Sequence, residues 1–166
     1  MGHTTIYRVG LSPTPEDNFN GKRKKIHNYN TPQHIEHTNE IDINNKHLEW
    51  LHKSLKRYSN ILKEKNCITL NNKSILEFPK ERAAEITNYI KNLKTQKDFI
   101  NYYCCIPIRS QYTENEEPLI IFNENDSQSI IYFDQFLIYL AQKLLSENYN
   151  KTETKLYIYN IYDANI

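Results

Sequence analysis

The chain has only three glycines, Gly2, Gly10 and Gly21, and none follows Gly21. That scarcity constrains the fold more than any motif. Loops that cradle phosphate need glycines in set spacing just after a strand, so nucleotide-binding P-loop and dinucleotide-binding chemistry are excluded. Turns that need a left-handed backbone must use another residue. The 21 asparagines are the natural substitutes, because a short side-chain amide tolerates that region and bonds to its own backbone.

A length of 166 residues suits one domain spanning 1–166, large enough to bury a core unaided. Apolar residues make up 39% and charged residues 25%, a globular rather than disordered balance. The net charge of +1 is unevenly spread. Residues 1–66 carry 11 Lys/Arg against 7 Asp/Glu, while 110–153 carry 2 against 8. Such asymmetry suits oriented contact with a partner better than a uniformly basic nucleic-acid surface. The three cysteines, Cys67, Cys104 and Cys105, are an odd and sparse set, which points to a reducing compartment. With no apolar run of membrane-spanning length and no leader before Ile6, a cytoplasmic protein with no membrane partner is expected.

Thr4–Leu11 alternates as a strand, with Thr5, Tyr7, Val9 and Leu11 on one face. A polar segment from about Ser12 to Asn45 follows, reading as neither helix nor strand. Leu48, Leu51, Leu55, Tyr58 and Leu62 then predict a helix capped by Asn44 or Asn45 and closed near Asn66. Cys67–Leu70 and Ser74–Phe78 read as a hairpin around Asn71, Asn72 and Lys73. Pro79 suits the first position of a second helix with the stripe Ala83, Ile86, Ile90 and Leu93. Strands are expected at Tyr102–Arg109, which would hold Cys104 and Cys105, and at Leu119–Phe122. A third helix, capped by Asp126 or Ser127, carries Ile130, Phe133, Leu137, Leu140 and Leu144, and Lys155–Tyr162 closes the chain as a strand near an edge. The expected architecture is α+β, a mostly antiparallel sheet of about five to six strands packed with three helices.

The polar segment holds His27, His34 and His37 and the basic run Lys22-Arg23-Lys24-Lys25. His34 and His37 have ligand-like spacing, with His47 and His52 beyond them. Firm zinc spacing brings thiols or convergent carboxylates, and these are lacking, so neither metal nor cofactor is expected. Lys22, Arg23, Lys24 and Lys25 are candidate phosphate or partner contacts.

One pair of motifs has a more definite form. His3-Thr4-Thr5 is followed by two apolar residues, and His52-Lys53-Ser54 has apolar neighbours. This pairing resembles the 2H phosphoesterases. The resemblance implies His3 and His52 as acid and base across one phosphodiester of a small or cyclic nucleotide, with Thr5 and Ser54 holding its oxygens. It covers few residues, and His52 falls on a helix where the family uses a strand.

Thirteen tyrosines complete the picture. Tyr157 and Tyr159 on the last strand are candidate binding residues, since tyrosine serves both protein interfaces and base-stacking platforms. The reading preferred on sequence is a small binding protein acting by protein–protein contact. An inhibitor or accessory factor of a phage, virus or mobile element is expected, directed at a host or cognate protein. A phosphodiesterase is the alternative, and RNA or single-stranded DNA binding is the third reading.

Overall fold

The computed structural model describes residues 3–15, 37–64, 66–104, 117–125, 129–147 and 151–165. The elements are β1 (His3–Gly10), β2 (His37–Ile41), α1 (Asn45–Leu55), a 3-10 turn (Lys56–Tyr58), β3 (Ser59–Glu64), β4 (Cys67–Asn71), α2 (Asn72–Lys91), α3 (Gln96–Cys104), β5 (Leu119–Phe122), β6 (Ile130–Ile131), α4 (Phe133–Ser146) and β7 (Glu153–Asn165). They form the expected α+β arrangement, with a seven-stranded sheet in the order β3-β4-β7-β1-β5-β6. Strand β2 also pairs with β7, and every described strand pair except β1–β5 is antiparallel.

β7 is the axis of the sheet, not a strand near its edge. One side of it pairs with β1 along residues 157–165. Its other side is divided, with β4 on residues 153–157 and β2 on 161–165. Thirteen residues reach about 43 Å at ~3.3 Å each, long enough to serve both partners end to end. Within the polar segment, His37–Ile41 therefore forms a strand. Its own pattern is too polar to announce one, and pairing with β7 supplies the reason.

Helix α1, the start of α2 and α4 pack on one face of the sheet. The main core joins Tyr7, Val9, Leu156, Ile158 and Ile161 of the sheet to Leu51 and Leu55 of α1, Ile75 of α2, and Phe136, Leu140 and Leu144 of α4. Phe122 meets Phe136 edge-on at 5.2 Å between centroids. A smaller cluster holds Ile6, Leu119, Ile121, Ile130 and Ala164, with Tyr132 and Tyr162 packed against it. Its described members lie on strands or, for Tyr132, just before α4.

Several boundaries differ from the sequence reading. Asn44 caps α1, its Oδ1 accepting from His47 N at 3.1 Å. The helix stops at Leu55, and Leu62 lies in β3, because Ser59 and Asn60 pair with Leu70 and Thr69. Asn66 does adopt the left-handed conformation, φ 60°, but in the β3–β4 turn. Asn71 is no hairpin residue; its Oδ1 accepts from Ser74 N at 3.2 Å and caps α2. Ser74–Phe78 is therefore helical, and Pro79 lies inside the helix, not at its start. Ile75 is fully buried, and its place in the core explains why a helix forms across an alternating stretch and tolerates proline. Beyond Phe78 no residue of α2 joins the core; Ala83 is exposed and Ile90 is 43% exposed.

Tyr102–Cys104 closes α3 where a strand was expected, and Cys105 lies outside the described residues. Ile130 belongs to β6, and α4 starts at Phe133 after Tyr132, whose N–H donates to Gln135 Oε1 at 3.2 Å. The caps expected at Asp126 and Ser127 also lie outside the described residues.

Candidate binding face around Arg8

Arg8 interrupts an apolar run, Ile6-Tyr7-Arg8-Val9, and is nonetheless 94% buried, with 6% of its surface exposed. Burying an arginine is costly unless its charge and N–H donors find partners. Arg8 stands opposite Asn160 in the β1–β7 register. Its Nη1 donates to Asn160 Oδ1 at 3.4 Å and its Nη2 to Asn123 Oδ1 at 2.9 Å. The guanidinium also lies 5.7 Å from the Tyr159 ring centroid, a cation–π contact. Asn160 passes the interaction on, its Nδ2 donating to Glu40 Oε1 at 2.6 Å.

A β-bulge makes this grouping possible. Arg8 pairs with Asn160 but Val9 pairs with Ile158, so Tyr159 is the extra residue. Ile158 and Ile161 both enter the main core. Tyr159 and Asn160 therefore share the opposite face, where strict alternation would separate them. Tyr159 Oη donates to Ser12 O at 2.5 Å, and its ring lies against Gly10. A Cβ at residue 10 would come within 2.3 Å of that oxygen, so this position needs glycine for close approach. Nearby, Leu11 N donates to Glu124 Oε1 at 2.7 Å.

Burial and the Glu124 carboxylate push the Tyr159 hydroxyl up to about 12, with the Arg8 charge opposing them. Tyr162 is raised by burial and then by Glu40. Tyr157, opposite Gly10 and Cys67, is half-buried on the same strand. Of the two tyrosines singled out by sequence, Tyr159 lies against Arg8, and Tyr157 stands opposite Gly10, two residues further along β1. Sequence reasoning missed Arg8, Asn160, Asn123 and Glu40. The available signal was a lone arginine between apolar neighbours in a strand.

The other candidates fall elsewhere. Lys22, Arg23, Lys24, Lys25, His27 and His34 lie outside the described residues. His3 and His37 start β1 and β2, and both pair through their backbones with Asn165. Thr5 pairs with Asp163. His52 and Ser54 lie on α1, where Ser54 Oγ donates to Trp50 O at 3.2 Å in its own helix. That helix is held over β1 by Tyr7, whose Oη donates to His47 O at 2.8 Å. Among the described residues no group of three or more His, Cys, Asp or Glu is placed to hold a metal ion.

A second charged group joins α2 to the start of α4. Arg82 lies 3.8 Å from Asp134 and 3.1 Å from Glu85. Glu117, just before β5, has its carboxyl raised by burial and then by Asp134, with Arg82 opposing both. Arg82 serves carboxylates on either side of it, a structural tie that also partly offsets the unfavourable field of Asp134 at Glu117.

No known protein family matches this sequence, and neither a curated protein nor a solved structure matches it. No described helix is long and apolar enough to cross a membrane.

Proposed function

We propose that this chain works by binding another protein, and that the face around Arg8 is where the partner sits. The supporting observation is the grouping of Tyr157, Tyr159 and Tyr162 with a buried arginine on the sheet face opposite the helices. Tyrosine is among the residue types that most often dominate interface energies, because it offers a large contact area with a directional polar end. Here the contacts with Arg8 and Ser12 O fix the Tyr159 ring in advance, so little of its side-chain freedom remains to be lost on binding. The expected role as an inhibitor or accessory factor of a phage, virus or mobile element is part of this proposal and rests on composition.

The test is affinity capture with the full chain from lysate of its native host, comparing wild type with Tyr157→Ala. Tyr157 belongs to neither core cluster, so the variant retains the fold, verified by its urea midpoint. A stoichiometric protein captured by wild type and reduced at least tenfold by the variant supports the reading. Equal capture by both, or capture of nucleic acid released by nuclease, sinks it.

A further inference from the structure

We propose that the helical tip formed by the end of α2 and the start of α3 is a second docking surface, one that takes an acidic, amphipathic protein segment. This tip shares no residue with the face around Arg8. Past Phe78, α2 contributes nothing to the main core, yet the helix continues to Lys91. The turn that follows is firmly built. Asp98 Oδ2 accepts from Lys94 N at 3.1 Å and Thr95 N at 2.9 Å, while Asp98 N donates to Thr95 Oγ1 at 3.1 Å. A reciprocal cap of this kind holds the tip in shape.

The surface it presents is both cationic and apolar. Lys91, Lys94 and Lys97 are all exposed, and Ile90, Phe99 and Ile100 are exposed by 43%, 48% and 58%. Between residues 88 and 104 these three lysines face a single acidic residue, Asp98, whose carboxylate is spent on backbone N–H groups. Exposed aliphatic side chains beside cations that make no ion pair among the described residues fit a partner that is apolar and acidic together.

Two other anionic surfaces fit less well. Ile90 and Ile100 offer nothing to a base stack, and Phe99 is the one exposed aromatic ring among the tip's described side chains. Anionic lipid headgroups ordinarily draw on clusters of roughly four to eight basic residues, more than this tip holds.

The full-length protein is titrated with a synthetic helical peptide carrying glutamate on one face and leucine on the other. Companion probes are the same peptide with glutamine for glutamate, poly-uridine RNA, and phosphatidylcholine–phosphatidylserine vesicles. Saturable binding of the acidic peptide is expected. It should weaken about tenfold in K91S/K94S/K97S, and by a similar factor in F99S/I100S. The glutamine peptide should not bind, and Tyr157→Ala should bind as wild type does. The tip variants replace exposed side chains, and the urea midpoints of all variants report retention of the fold. Absence of acidic-peptide binding, undiminished binding by either tip variant, or tighter binding to RNA or vesicles overturns the proposal. Loss of binding in Tyr157→Ala alone would move the site to the sheet face.

Discussion

Arg8 of β1 and Glu40 of β2 are joined through one side-chain amide, that of Asn160, although β7 runs between their strands. Asn160 Oδ1 accepts from Arg8 and its Nδ2 donates to Glu40. One residue of the central strand thus ties together the two strands that flank it. Asn160→Ala should cost about 1 kcal/mol, since it leaves the buried Arg8 Nη1 short of a partner, while water can replace the amide at the exposed Glu40 carboxylate. A double-mutant cycle with Arg8→Met, read by urea denaturation, should give a coupling of at least about 0.5 kcal/mol. Strict additivity would show that the network is geometric only.

Gly10→Ala should displace the Tyr159 ring, because the added methyl meets its Oη at 2.3 Å and its Cε2 at 2.7 Å. Forced repacking of this kind costs roughly 1–3 kcal/mol. In a Tyr159→Ser background the same substitution should be nearly neutral. A penalty that persists there would place the strain in the backbone and not in the ring.

Alkaline pH should destabilise the protein partly through Tyr159. The unfolded phenol ionises near 10.0 and the native one only near about 12, so the native state binds more protons in between. Stability therefore falls as pH rises through that window. Tyr7 and Tyr162, also raised by burial, act in the same direction. Tyr159→Phe should show a shallower decline of its urea midpoint between those pH values. A near-ultraviolet tyrosinate titration should show one fewer late-ionising group.

Glu117→Gln should stabilise the protein at neutral pH by roughly 0.5 kcal/mol, discounted because the side chain is only partly buried. Its carboxyl is raised above 4.5, first by burial and then by Asp134. The wild-type chain thus loses stability as pH rises through that raised value. Well below 4.5 the glutamine and protonated glutamate chains should be equally stable. A constant difference at all pH values would assign the effect to packing, not to charge.

Asn72→Ala should cost about 2 kcal/mol. Asn72 is 97% buried, with 3% exposed. Its backbone N–H donates to Thr152 O at 3.0 Å and its Nδ2 to Lys151 O at 3.0 Å, fastening the start of α2 to the entry of β7. Hydrogen exchange should quicken in residues 151–154 in this variant, and uniform exchange across the chain would count against a local tether.

The sequence by itself determined the α+β class, the two strands richest in β-branched and aromatic residues, and the apolar faces of α1 and α4. These follow from periodicity, which depends only on near neighbours along the chain. It also narrowed the α1 cap to Asn44 or Asn45 and marked Asn66 as left-handed, though as the close of α1 and not as the β3–β4 turn, since both roles depend on a short side-chain amide. Tertiary structure decided where periodicities ended. α1 yields to β3 because Ser59 and Asn60 find partners in β4, and Ser74–Phe78 turns helical because Ile75 finds the core. Only tertiary pairing made polar His37–Ile41 a strand and the last strand the axis of the sheet. The setting of Tyr159 beside Arg8 was likewise illegible, because it depends on one bulged residue that reverses the facing of everything after it. Register between distant strands is a global property, and no local pattern encodes it.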